Sequence, residues 1–157
     1  MQKVLILMGS KNDLPVAEKG ISILKSFGIG YEIAVASAHR TPKRVEALVT
    51  KSDADVFIAI AGVSAALPGV VASLTTKPVI GVPVSGAVNL DAILSVIQMP
   101  PGIPVAAVGL DRGDNAALLA IEMMSLADAD LSKKMADYRK DMEKKIIADS
   151  ESLKINV

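Results

Sequence analysis

Tyr31-Glu32-Ile33-Ala34-Val35-Ala36-Ser37-Ala38-His39-Arg40-Thr41-Pro42 is the stretch that decides the fold. Residues 31–36 read as a buried strand, Thr41 as a helix N-cap and Pro42 as the first helical residue. Between them lies a turn holding the only histidine of the chain, with an arginine beside it and a serine two residues before. Donors converge in such a strand-to-helix turn, and a helix N-terminus favours anions. A lone histidine is most often a hydrogen-bonded structural residue, but this location points instead to a site.

The same strand-then-helix pattern recurs on either side. Upstream, Lys3 to Met8 is a continuous apolar run, as expected for a strand covered on both faces. The loop Gly9 to Asp13 follows, then a helix from Leu14-Pro15 to Phe27 that Gly28 and Gly30 stop. Downstream, a helix over 42–51 precedes a third strand at 55–61. The small-residue loop Gly62 to Gly69 then leads into a short helix ending near Thr75. A fourth strand (78–83) and a loop through Ser85-Gly86 precede a helix over 90–98. The fifth strand covers 105–110, and the next helix runs from Asp114 or Asn115 to Ser125. Residues 128–149 place Leu131, Met135, Tyr138, Met142 and Ile146 on one face of a final amphipathic helix. That helix packs either on its own domain or on a neighbouring subunit. Alternation of strands and helices with short connections predicts an α/β fold, a five-stranded parallel sheet covered by helices on both faces. Ligands bind such sheets outside the carboxyl ends of the strands. The loops Gly9 to Asp13, Ser37 to Thr41 and Gly62 to Gly69 are therefore expected to converge.

Composition narrows the function. The 157 residues suit one domain, and Lys+Arg and Asp+Glu both total 17, so no basic excess attracts nucleic acid. Zero cysteines exclude thiolate metal sites and thiol nucleophiles, and are compatible with a reducing cytoplasm. The apolar run Val4 to Met8 is too short for a signal peptide, and no run approaches the roughly 20 residues of a membrane span. A soluble cytoplasmic protein with no membrane partner is expected. The chain is 51% hydrophobic yet has no tryptophan, two phenylalanines and two tyrosines. So apolar a small chain hides part of its surface in a partner subunit.

Each loop offers particular chemistry. Gly9 permits a tight turn, Ser10 can donate to a phosphate oxygen, and Asp13 can accept from sugar hydroxyls or cap the helix. This loop is neither the P-loop nor the dinucleotide fingerprint. Arg40 offers a planar fork for phosphate, or simply flanks its helix in solvent. An imidazole has an unperturbed pKa of about 6.5, which makes His39 the candidate for proton transfer near neutrality. In the third loop, backbone amides from Gly62 onward could hold an anion, and packing of small residues is the plainer alternative. Ser64 lacks the glycine-flanked elbow of a nucleophile. No ligand cluster for a metal is evident, and no cofactor is expected.

Taken together, the chain resembles the family of carboxyaminoimidazole ribonucleotide mutases and related aminoimidazole ribonucleotide carboxylases of purine synthesis. The resemblance rests on Met8-Gly9-Ser10-Lys11-Asn12-Asp13, Ser37-Ala38-His39-Arg40-Thr41-Pro42, Leu67-Pro68-Gly69, Gln98-Met99-Pro100 with Gly102-Ile103-Pro104-Val105, and Asn115-Ala116-Ala117-Leu118-Leu119. It implies a flavodoxin-like three-layer αβα subunit in a homo-octamer whose neighbouring subunits complete the active sites. It also implies that Ser10, Asp13 and Arg40 hold the ribose phosphate of a ribonucleotide, assisted by Ser37; Gly9, Gly62 and Ser64 are further candidate substrate-binding positions. His39 would then transfer the proton while carbon dioxide leaves the exocyclic nitrogen and is added to the ring carbon.

The third loop departs from the mutase pattern Gly-Gly-Ala-Ala-His-Leu-Pro-Gly. Val63 stands at its second glycine and Ala66 at its histidine. The segment from Val84 to Ile97 is about two residues shorter, in a loop region that tolerates such change. Carboxylases that use carbon dioxide directly also lack that histidine, but carry Lys-Gly-Pro where this chain has Arg40-Thr41-Pro42. Mutase and direct carboxylase both stay open. A flavin electron carrier on the same fold would want more aromatics, and a phospho-acceptor signalling domain would want an aspartate in place of Ala61.

Overall fold

Apolar runs without alternation need cover on both faces, and the structure supplies it. In this computed structural model residues 2–153 are described. The sheet is built from β1 (Lys3–Met8), β2 (Gly30–Val35), β3 (Val56–Gly62), β4 (Val79–Val84) and β5 (Ala106–Ala107), all parallel in the order β2-β1-β3-β4-β5. The helices are α1 (Leu14–Phe27), α2 (Pro42–Thr50), α3 (Leu67–Ser73), α4 (Asn89–Ile97), α5 (Gly113–Ser125) and α6 (Ala129–Ser152), with a 3₁₀ turn at Lys11–Asp13. This is the flavodoxin-like order, whose switch point lies between β1 and β3.

Alternation along the strands divides the core into two faces. Leu5, Leu7, Phe57 and Ala59 pack with Val45 and Val49 of α2, Leu67 and Val71 of α3, and Ala92 and Val96 of α4. The intervening Val4, Ile6, Ile58, Ile60, Ile80 and Val82 are equally buried and turn to the opposite face. Residues fall into two compact units, Met1–Ala120 with the whole sheet, and Ile121–Val157. Within the second unit Ile121, Met124, Leu131 and Met135 are buried, Glu122 pairs with Arg139, and Asp128 caps α6 by accepting from the Leu131 N–H at 2.9 Å.

Several expectations need correction. The strand at 30–35 is not buried: it lies at the sheet edge, and Ile33 and Val35 are exposed. β5 is two residues long rather than six. The Gly81 and Pro83 carbonyls both accept from the β5 side, from Val108 and Asp111. Proline has no N–H to donate on that side, so the ladder ends there. Thr41 occupies the N-cap of α2 without capping it. Its Oγ1 instead accepts from the Ser37 N–H at 2.9 Å and donates to the Ser37 carbonyl, closing the turn on itself.

Candidate functional site

At the carboxyl ends of β1 to β4 the loops enclose a cleft of about 830 Å³, within the usual range for small-molecule sites. All the residues singled out from the sequence line it: Gly9, Ser10, Asp13, Ser37, His39, Arg40, Gly62 and Ser64. Their convergence follows from strand order, because β1 and β3 are adjacent and β2 flanks β1.

In the first loop, Ser10 and Asp13 form a capping box. The Ser10 N–H donates to Asp13 Oδ2 at 2.9 Å, and Ser10 Oγ accepts from the Asn12 N–H at 3.2 Å. Asp13 is only 7% exposed. That burial pushes its pKa up, against the opposing pull of the Ser10 N–H and the Arg40 charge. The chain bends at Gly9 as expected, but the bend does not require a glycine. Gly9 has no positive φ, and an added Cβ would sit 3.7 Å from Asp13 Oδ2, an ordinary contact. Its contribution is backbone: the Gly9 carbonyl accepts from Arg40 Nη2 at 3.0 Å.

Arg40 thus ties the first loop to the second. Its backbone N–H and Nε both donate to Ser37 Oγ, at 3.2 and 3.3 Å. With its lone pairs so engaged, the Ser37 hydroxyl keeps its proton for a ligand. The His39 side chain is exposed and lines the cleft. Imidazole, guanidinium and two hydroxyls therefore border one space.

In the third loop the Ala66 N–H donates to the Ser64 carbonyl at 2.6 Å, a tight local turn before α3. Val63 has φ +57° and is 71% exposed. A β-branched residue in the left-handed region is strained, which accounts physically for a glycine at this position in the mutase pattern.

A fourth loop, Ser85 to Val88, also lines the cleft and was not anticipated from the sequence. It follows β4, so its position could have been inferred once β4 is placed beside β3. Among the described residues no three His, Cys, Asp or Glu side chains gather as a metal site, and no helix is long and apolar enough to cross a membrane.

Comparison with known proteins agrees with this geometry. The family described as AIR carboxylase matches residues 3–145. The N5-carboxyaminoimidazole ribonucleotide mutase of Methanocaldococcus jannaschii is 60% identical over 152 residues, covering 96% of this chain and 97% of that protein. The protein of the same name from Pyrococcus abyssi is 50% identical over 149 residues, covering 92% and 86%. Among solved structures, the crystal structure of Treponema denticola PurE superposes with a TM-score of 0.87 at 37% identity, covering 99% of this chain and all of that one. A family match over residues 3–145, and a relative 60% identical over nearly the whole of both chains, place the chain in the AIR carboxylase family of enzymes.

Proposed function

We propose that the cleft converts N5-carboxyaminoimidazole ribonucleotide into 4-carboxy-5-aminoimidazole ribonucleotide, a step of purine biosynthesis. The observation that carries this reading is the junction of the first two loops, where Arg40 binds the Gly9 carbonyl and Ser37 Oγ beside His39. Ser37 and Ser10 both have hydroxyl protons free to donate, and with Arg40 they form a phosphate cradle. Asp13 would repel a phosphate, so its unused carboxylate oxygen suits the ribose hydroxyls.

With the phosphate anchored, the imidazole of the substrate lies toward His39. Protonated His39 gives its proton to the exocyclic nitrogen as the carbamate C–N bond breaks and carbon dioxide leaves. The amine then pushes electron density onto the ring carbon, which attacks the trapped carbon dioxide. Neutral His39 removes the displaced ring proton, so the histidine ends as it began. Retention of carbon dioxide in the cleft makes recapture effectively unimolecular.

The deciding experiment compares turnover of the carboxyamino substrate with that of aminoimidazole ribonucleotide plus bicarbonate. Preferred use of the first is the expected result. Preferred use of the second would make the enzyme a direct carboxylase, in keeping with Ala66 at the mutase histidine. Arg40→Ala should raise the substrate dissociation constant by about 10- to 100-fold, the worth of a charge-assisted contact, with a smaller change in kcat. Unchanged affinity in titration calorimetry would remove Arg40 from the phosphate site.

The same reading makes the chain a cytoplasmic homo-octamer in which residues 128–149 dock on a neighbouring copy. Support comes from apolar side chains left exposed. Met142 is 52% and Ile146 68% exposed along the stripe of α6, and Val88, Leu90, Leu94 and Ile97 are exposed on and before α4. Exposed patches of this kind mark interfaces. Sedimentation velocity should find one species of about eight chains; a monomer at micromolar concentration would refute the assembly.

A further inference from the structure

Ser85, in the loop that the sequence did not single out, is held by a residue outside the cleft. The Ser85 N–H donates to Asp111 Oδ1 at 2.9 Å, and Ser85 Oγ donates to Asp111 Oδ2. Asp111 is itself fixed by its backbone. Its N–H donates to the Pro83 carbonyl at 2.9 Å, and its carbonyl accepts from Lys19 Nζ at 3.0 Å. It also adopts φ +57°, a conformation that aspartate tolerates better than most residues. Besides Val63, it is the only non-glycine residue with positive φ among the described residues.

We propose that Asp111 is a positioning residue that turns the Ser85 hydroxyl proton away from the cleft, so that Ser85 presents an acceptor to an N–H donor of the ligand, such as the amino group of an aminoimidazole. A carboxylate can only accept. Both of its oxygens are committed to Ser85, one to the amide and one to the hydroxyl, so the direction of the hydroxyl is set. Partial burial pushes the Asp111 pKa up, but the two bonds from Ser85 and the Lys19 charge outweigh it and hold the group below its ordinary value. The carboxyl is therefore ionised at neutral pH. With its proton spent on Asp111, the Ser85 oxygen keeps only lone pairs for whatever enters the cleft. Ser85 thereby becomes a specificity-determining contact, and Asp111 acts through it.

This inference rests on the proposed ribonucleotide reaction, and asparagine at 111 tests it. The Ser85 N–H can only donate, so the amide oxygen of Asp111→Asn must face it. The amide NH2 then falls on Ser85 Oγ and donates to it, reversing the hydroxyl. Loop anchorage is kept while hydroxyl polarity changes. In steady-state assays with the carboxyamino substrate, Asp111→Asn should raise KM about tenfold, the worth of one hydrogen bond, with kcat and melting temperature close to wild type. Ser85→Ala should raise KM by a similar factor. The double variant should be no worse than either single one, because both remove the same contact. Wild-type KM in both single variants would overturn the proposal, as would a loss confined to kcat. Recovery of KM in Asp111→Asn while Asp111→Gly raises it would reduce Asp111 to loop anchorage and also overturn it. If the wild-type enzyme neither binds nor turns over the substrate, the ribonucleotide reading itself fails, and this proposal falls with it.

Discussion

His39→Asn lowers kcat by at least about 10²- to 10⁴-fold, the contribution of a positioned general acid–base, while the protein folds as before. Asparagine keeps a hydrogen-bonding side chain of similar reach but has no proton to exchange near neutrality. Both half reactions use the same imidazole, which gives one proton to the exocyclic nitrogen and takes another from the ring carbon, so each loses its acid or its base. Among the described residues, no second histidine is present to take over. Asp13, the nearby buried carboxyl of the cleft, is tied to Ser10 and faces the sugar end in this reading. Since His39 is exposed, its replacement should move the melting temperature by no more than about 2 °C, as for ordinary surface substitutions. Single-turnover assays with circular dichroism melts measure both quantities. Residual activity above a tenth of wild type would exclude the assigned role.

Gly113→Ala should destabilise the protein by about 1–3 kcal/mol, the cost of overpacking a close contact. An ideal Cβ at Gly113 would lie 2.0 Å from the Val16 carbonyl oxygen, and one at Gly20 would lie 2.7 Å from the Gly113 carbonyl oxygen. Helices α1 and α5 therefore meet backbone to backbone, with no flexible side chain to give way. The sign of the effect is diagnostic. Alanine is the better helix former by about 1 kcal/mol in a helix interior and by less at the first residue of α5, so without this contact the substitution would be neutral or slightly stabilising. A fall in melting temperature of several degrees is expected for a domain of this size; a rise would show that the approach is looser. The seam also bears on the cleft, because Lys19 and Asp111 flank it and Asp111 holds Ser85.

Much of this was legible in local sequence. The apolar run before Gly9, the glycine at 28 and the prolines at 15 and 42 set element bounds that the structure reproduces within one or two residues. Gly28 takes φ +76° as a helix stop should. The errors share a cause. Apart from Glu32, residues 31–36 are as apolar as a central strand, and that one charge is the sole hint that β2 lies at an edge. Pro83 marks the end of a strand in sequence, but its effect on β5 depends on which neighbour its missing N–H would have met. Thr41 has the composition of a cap, yet its hydroxyl found the Ser37 backbone closer.

The sequence by itself determined that the chain is an α/β protein with a polar strand-to-helix turn at His39 and Arg40, because hydrophobic periodicity and turn chemistry act over a few residues. Tertiary structure alone decided which loops share the cleft, that Arg40 spans from Ser37 to Gly9, and that Asp111 reaches Ser85 across 26 residues of chain. Those contacts depend on strand order and on backbone direction at single positions. Neither leaves a mark in the local pattern of residues.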